Sequence, residues 1–246
     1  MRSMWAIAKR DVRSFFVSPL AWVVLTIWML VCGGQFYIMC GWFAQNPSSG
    51  GSDNPVAFFY GGTVLFFLAL LVFVPILTMR LLAEERQSGI DEAMLTTPVT
   101  PLAMVMGKYL AAMTFWAAMW VPTLMYVWIC KNFGYADWGA TGAIFLGVFG
   151  IGLHYMAIGL LSSAIASSQL VAAVIAFFIL STFFVLGIAS SVLPDWAEVL
   201  NYISVMEHMR AYSRGIVDSR YLAFDVLTAA LALFLSVRVV DARRYQ

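Results

Sequence analysis

Residues 56–92 read VAFFYGGTVLFFLALLVFVPILTMRLLAEERQSGIDE, an apolar run followed at once by a charged one. Residues 56–79 contain no charged side chain, and a helix needs about 20 apolar residues to cross a hydrocarbon layer of about 30 Å. Glu84 to Glu92 then hold four acids and an arginine within nine positions. Because lipid does not accept so many charges, this second part must face water or a partner protein. The stretch therefore predicts a membrane-spanning helix with a charged segment directly outside the bilayer.

The composition of the whole chain supports the same interpretation. Of the 246 residues, 62% are hydrophobic and only 11% are charged, and the mean hydropathy is +0.86. A soluble domain of this size needs more polar surface than that. The net charge of +1 gives no reason to expect a nucleic-acid partner. We therefore expect an all-α integral membrane protein.

Uncharged windows divide the chain into six predicted spans. The window from Trp138 to Pro194 is long enough for two helices, and residues Ala164 to Gln169 supply the turn between them. The sixth span has Asp225 and Arg238 near its ends, where we expect their side chains to reach the lipid headgroups. Within a single transmembrane domain of residues 1–246, the predicted spans are 20–41, 56–79, 109–130, 139–165, 170–193 and 222–240.

The distribution of lysine and arginine predicts the orientation of the chain. With six spans both termini lie on one side, and that side holds ten basic residues against four on the other. Since basic residues are enriched on the cytoplasmic side, we expect both termini and the charged segment to be cytoplasmic. The ten are Arg2, Lys9, Arg10, Arg13, Arg80, Arg86, Lys108, Arg238, Arg243 and Arg244, and the four are Lys131, Arg210, Arg214 and Arg220. The first apolar run, 20–41, is too long for a cleaved signal and is interpreted as a retained helix.

The charged segment itself predicts a helix, a break and a second short helix. Residues 80–87 are good helix formers that extend the second span, and Ser88-Gly89 interrupts them. Ser88 and Asp91 have the spacing of a capping box for a new helix, which ends before Pro98. Thr100-Pro101 is typical of a cap and first-turn proline, and opens the helix of the third span.

Sequence motifs for catalysis are missing. There is no HExxH, no GxSxG and no phosphate-binding loop, and Cys32, Cys40 and Cys130 lack the spacing of a disulfide or metal site. No span has a charged residue near its middle, which argues against an ion-coupled carrier. His154 lies within a span, where a neutral imidazole bonded to a neighbouring helix is the simpler interpretation. An intramembrane enzyme using His154 and His208 is disfavoured, because we expect the two at different depths and no carboxylate accompanies His154.

Small residues are concentrated in the fourth span. Small side chains let helix backbones approach closely, so the span has a packing face. Contacts within one bundle and a face between two subunits are equally compatible with this pattern. The residues are Gly142, Gly147, Gly150, Gly152, Gly159, Ser162 and Ser163.

The segment 83–99, followed by Gly107-Lys108-Tyr109, resembles the cytoplasmic stretch of ABC-2 type transporter permeases. That family has a pattern close to EE-x-x-SGT-x-E-x-LL-x-x-P, followed by GK at the next span. Ile90 stands where threonine is usual, and Met94 where leucine is usual. The matching residues are Glu84, Glu85, Ser88, Gly89, Glu92, Leu95, Pro98, Gly107 and Lys108.

A second region, residues 204–218, resembles the SP-x-x-HF-x-x-F-x-RG-x-x-D segment of the subgroup that contains gliding-motility and nitrous-oxide-reductase maturation permeases. Ser204 with Glu207 also has the spacing of a capping box, and an apolar stripe including Trp196 and Val199 precedes it. We therefore expect short extracytoplasmic helices between spans five and six. The matching residues are Ser204, His208, Arg214, Gly215 and Asp218.

The resemblance implies a transporter permease of the bacterial inner membrane, in most such cases an exporter. It implies two separate ABC ATPase subunits and a second permease, identical or related, as partners in the bilayer. ATP and Mg would be bound by the ATPase and no cofactor by this chain. Coupling to the ATPase would fall on the charged segment, with Arg86 and Asp91 added to the matching residues named above.

The resemblance also implies a structure and a location for the N-terminal segment. Residues 2–18 would form an amphipathic interfacial helix, with Lys9, Arg10 and Arg13 toward the headgroups. The apolar side would carry Trp5, Ala8, Val12, Phe15 and Phe16.

An alternative function stays open at this point. The predicted outer loop from Trp42 to Pro55 is short and rich in Gly and Ser, so the chain lacks a large outer domain to hold a cargo. The maturation and gliding relatives suggest a non-transporting membrane module that passes ATPase-driven movement to a periplasmic partner.

Overall fold

The computed structural model describes residues 2–46, 55–61, 63–87, 99–133, 137–190 and 192–243. All regular structure in these ranges is helical. Five helices are long and apolar enough to cross a membrane, and a bent pair makes a possible sixth span. The expectation of an all-α membrane protein is therefore confirmed, with five or six spans.

The helices are numbered here in chain order. They are α1 Arg2–Val17, α2 Pro19–Gln45, α3 Pro55–Gly61, α4 Val64–Thr78, α5 Ala83–Gln87, α6 Pro101–Trp120, α7 Leu124–Asn132, α8 Trp138–Ile165, α9 Gln169–Ala189, α10 Ala197–Ile203, α11 Val205–Ser213 and α12 Ser219–Ala242, with a 3₁₀ turn at Pro194–Trp196 before α10.

Side-chain caps begin several of these helices where the sequence predicts a boundary. Thr100 accepts a hydrogen bond from Ala103 N before α6, with Pro101 in the first turn. Ser168 accepts from Val171 N, which separates α8 from α9. These oxygens satisfy amide groups that a helix N-terminus leaves without partners, so the turns are fixed by local chemistry.

Two spans differ in shape from the windows read off the sequence. The second consists of α3 and α4, which meet at an angle of 42°. The third begins at Pro101 rather than at 109, and α6 and α7 continue one another as far as Asn132. Pro122 lies in the turn between them, where its missing N–H and its ring interrupt the helix.

Helix α8 is the centre of the bundle. It packs against α3, α4, α6, α9, α11 and α12, most extensively against α12. Helix α11 lies between α3, α8 and α9, and its Tyr212 and Met209 are completely buried. The bundle thus has two distinct ends. The Lys108 end carries α1, α5 and the start of α6, and the His208 end carries α10, α11 and the start of α12.

Helix α1 lies along α6 at the Lys108 end. Phe15 and Phe16 both contact the ring of Phe115, at centroid distances of 5.4 and 5.7 Å, and Ala8 is buried. Lys9, Arg10 and Arg13 are exposed. Trp5 is 67% exposed, and Asp11 is buried on the face of α1 that packs against the bundle.

Candidate functional site

Four charged side chains from three elements meet at the Lys108 end. Lys108 Nζ lies 2.7 Å from Glu85 Oε2 and 3.2 Å from Asp11 Oδ2. Arg10 lies 2.6 Å from Glu85 Oε1 and 2.8 Å from Asp11 Oδ1. Two cations and two anions therefore alternate in a closed ion network, which joins α1, α5 and α6.

One edge of this network is buried and the other is in contact with solvent. The side chain of Lys108 is 2% exposed, whereas that of Arg10 is 47% exposed. A buried ammonium is tolerated only when acids surround it, and here Asp11 and Glu85 do so. Partial burial lowers the pKa of Arg10, but its hydrogen bonds to Asp11 and Glu85 and their charges outweigh that effect and raise the pKa.

The connection after α4 is anchored to the same end of α8. Ser163 Oγ accepts hydrogen bonds from the amides of Leu82 and Ala83, both at 3.0 Å. Arg86 Nη1 donates to the carbonyl of Ala166 at 2.7 Å. These bonds satisfy backbone groups that a turn next to the bilayer would otherwise leave unpaired. The segment that leaves the second span is therefore fixed to the central helix.

The structure separates the two neighbouring glutamates of the predicted coupling segment. Glu84 is exposed, and Glu85 turns inward to Lys108. Gly107 has a packing role, because a Cβ atom there would lie 2.9 Å from both Ile7 Cγ2 and Met4 O of α1. The remaining predicted coupling residues lie in 88–98, outside the described residues; they are Ser88, Gly89, Asp91, Glu92, Leu95 and Pro98.

Most of the second predicted motif acts at helix ends. Ser204 Oγ accepts from Glu207 N at 3.4 Å and begins α11, as the capping box predicts. Asp218 Oδ1 accepts from Arg220 N at 2.8 Å and begins α12. Gly215, next to the C-cap Arg214, has a φ of +77°, a left-handed conformation that glycine adopts without strain.

The remaining residue of that motif, His208, is completely buried and contacts Asp225. Its Nδ1 lies 3.4 Å from Asp225 Oδ1, and His154 Nδ1 lies 2.9 Å from the same oxygen. The expectation that Asp225 reaches the headgroups is wrong, because its side chain is 0% exposed. The expectation that His154 has no carboxylate and lies at a different depth from His208 is also wrong, because both imidazoles contact the same oxygen of Asp225. Among the described residues, no group of three His, Cys, Asp or Glu side chains is arranged to hold a metal ion.

Sequence reasoning missed two carboxylates of these sites, Asp11 and Asp225. Each had a readable signal. Asp11 is the one acid in an otherwise basic N-terminal segment, and Asp225 follows a histidine-containing motif and opens an apolar run. An acid in such a place needs a cationic partner, and two of the partners here, Lys108 and His154, are distant in sequence.

The small residues of α8 pack within the bundle. A Cβ atom at Gly150 would lie 2.7 Å from Asp225 Oδ2, and Gly147, Gly152 and Gly159 face Tyr212, Trp116 and Thr78 at closer range. Gly142 differs, because nothing lies within 4 Å of its added Cβ. Close packing inside one subunit therefore accounts for most of the glycine stripe.

These features define a polytopic α-helical membrane protein in which a charged segment is tied to the end of a central helix. The family model of the ABC-2 family transporter protein matches residues 44–236, most of the chain. The chain therefore belongs to the ABC-2 family, as its resemblance indicates, and is a multi-pass membrane subunit of an ABC transporter that works with ABC ATPase subunits and is not itself an ATPase. A comparison with curated proteins found no match.

Proposed function

We propose that the protein is the permease subunit of an ATP-driven exporter in a bacterial inner membrane. It works as a dimer with a second permease and two ATPase subunits, and its Lys108 end is cytoplasmic. The observation that carries the coupling part of this proposal is the buried contact of 2.7 Å between Glu85 and Lys108.

The ion network gives a path for movement. A push on the segment from Ala83 to Pro98 would act on Glu85, and through it on Lys108 of α6 and Asp11 of α1. The hydrogen bonds to Ser163 and from Arg86 connect the same segment to the C-terminal end of α8. The segment and three helices would therefore move together when an ATPase dimer closes beneath them.

The two glutamates have different parts in this proposal. Glu84 is exposed, whereas Glu85 holds the segment to the bundle through its contact with Lys108. Reversal of both charges would mix docking with folding, so Glu84→Lys is the cleaner test. A matched control is Glu198→Lys, because Glu198 is an exposed acid at the His208 end.

The test uses the permease co-expressed with its ATPase and reconstituted in proteoliposomes. We expect Glu84→Lys to lower ATPase co-purification and ATPase stimulation about tenfold, the effect of losing about 1.4 kcal/mol at an interface. Glu198→Lys should leave both unchanged. Full co-purification and stimulation by Glu84→Lys would remove the docking role from this segment.

A second candidate function is a non-transporting module that passes ATPase-driven movement to a periplasmic partner. It is favoured by exposed apolar side chains beside α10, where Trp196 is 65% and Val199 53% exposed. Such a surface suits either the bilayer interface or a partner protein. ATP-dependent loss of a labelled lipid or peptide from the proteoliposomes supports the exporter; ATP turnover without movement of any tested cargo class supports the module.

A further inference from the structure

The chain contains two histidines, and the fold brings both to one carboxylate. His154 of α8, His208 of α11 and Asp225 of α12 are each 0% exposed. A net charge sealed away from water is costly, so such a cluster is stable when its charges cancel. The protonation of the two rings therefore follows from what each ring nitrogen faces.

His208 faces an acceptor on both sides. Its Nε2 lies 2.9 Å from the carbonyl oxygen of Tyr202, which can only accept, so Nε2 carries a hydrogen. Its Nδ1 faces Asp225 Oδ1 at 3.4 Å, where an unprotonated nitrogen would set its lone pair against the carboxylate. The ring of Tyr221 stacks on the imidazole at a centroid distance of 4.4 Å, which favours a cation. These contacts fit an imidazole that carries a hydrogen on both nitrogens.

His154 faces an acceptor on one side only. Its Nδ1 lies 2.9 Å from Asp225 Oδ1, and among the described residues neither its Nδ1 nor its Nε2 makes an aligned hydrogen bond. The rings of Tyr155, Phe183 and Phe224 surround it. A second cation would have no counter-charge here, so a neutral imidazole with its hydrogen on Nδ1, toward the carboxylate, fits the site. The cluster then holds one cation and one anion, and its charges cancel.

The titratable groups near the cluster include four tyrosine hydroxyls, and Glu207, Asp218 and Arg220 lie within electrostatic range of Tyr221, which stacks on His208. In the described part of the chain, Tyr155 comes from α8, Tyr202 from α10, Tyr212 from α11 and Tyr221 from α12, and α9 contributes the uncharged Phe183. Tyrosine hydroxyls are neutral near pH 7. They do not alter the charge balance among His154, His208 and Asp225.

We propose that His154, His208 and Asp225 form a proton-binding site whose bound proton, carried by His208, fastens helix α11 to α8 and α12. Because the site is sealed, the proton exchanges with water only when α11 moves away from its neighbours. Occupancy of the site and the position of α11 are therefore linked.

The first test reads the protonation directly. The full chain, labelled with ¹⁵N-histidine and held in lipid nanodiscs at pH 7.0, gives signals from two imidazoles only. We expect one ring protonated on both nitrogens and one neutral ring with its hydrogen on Nδ1, whereas a free imidazole with a pKa of about 6.5 is mostly neutral at this pH. Two neutral rings would overturn the proposal. A spectrum that changes on addition of EDTA would also overturn it, because the ligand would then be a metal ion.

The second test measures coupling between the residues. Asp225→Asn should lower the melting temperature by about 10 °C, because it leaves the His208 cation without a counter-charge. The double variant Asp225→Asn/His208→Gln should lose much less than the sum of the two single changes. Asp241→Asn, on the other end of the same helix, is the matched control and should melt like the wild type. Additive losses would overturn the proposal, and if Asp225→Asn does not fold, the wild-type spectrum decides alone.

Discussion

The two ends of the bundle both bury charge, but they differ in contact with water. At the Lys108 end two cations and two anions alternate, and Arg10 at the edge keeps 47% of its side chain exposed. At the His208 end one carboxylate meets two imidazoles, and none of the three is exposed. Water can replace a lost partner beside Arg10, but it cannot do so in the cluster at the His208 end. The effect of a substitution should therefore depend on the burial of the charge rather than on the number of charges around it.

The largest effect in this comparison is expected from Lys108→Met. Lys108 is 2% exposed and faces both Asp11 and Glu85, so its removal leaves these two mostly buried acids with the half-exposed Arg10 as their cation. We expect the protein to lose about 3–5 kcal/mol of stability, the usual result of breaking a buried pair. Thermal unfolding in nanodiscs measures this, with Lys108→Arg as the charge-conserving control. A loss below about 1 kcal/mol, typical of surface pairs, would mean that water reaches Lys108.

An intermediate effect is expected from Gly150→Ala, which tests the close packing at the His208 end. The new methyl group would lie 2.7 Å from Asp225 Oδ2, so α12 or the carboxylate must shift. We expect a loss of about 1–3 kcal/mol, the usual cost of overpacking, together with altered imidazole signals. Gly142→Ala is the matched control, because nothing lies within 4 Å of its Cβ and alanine is the better helix former. Equal melting temperatures for the two variants would contradict the close contact between α8 and α12.

The smallest effect is expected from Arg10→Ala at the open edge of the first network. Its partners Asp11 and Glu85 keep Lys108, and water can hydrate the place that Arg10 leaves. We expect a loss of about 0.2–1 kcal/mol that shrinks further at high salt. Melting curves at low and high salt measure it. A loss as large as that of Lys108→Met would show that all four charges act as one buried unit.

Sequence reasoning succeeded where the controlling interactions are local. The cap at Thr100, the turn before Gln169 and the capping box of Ser204 each involve residues within a few positions of one another. The choice of Glu85 and Lys108 as motif residues came from the family pattern, but their contact with each other did not. The same pattern could not tell that Glu84 and Glu85 face opposite ways, because that depends on where α1 and α6 lie.

Burial of the polar residues was the least predictable part. Asp225 looked like a residue at a helix end, and it contacts His154 of α8 and His208 of α11 instead. Asp11 lies in a basic segment, and it is buried beside Lys108 of α6. In both cases a contact between distant segments outweighed the local pattern.

The sequence by itself determined that the chain is rich in helices long and apolar enough to cross a membrane, and it predicted the turns before α6, α9 and α11. Transfer into lipid depends on the summed polarity of about 20 neighbouring residues, so it can be read from one window at a time. The tertiary structure alone decided which charges meet, because Asp11, Glu85 and Lys108, like His154, His208 and Asp225, come from helices whose neighbours are set by packing. A buried charge is stable only beside its counter-charge, and contacts such as Lys108 with Asp11 and His154 with Asp225 join segments far apart in the sequence.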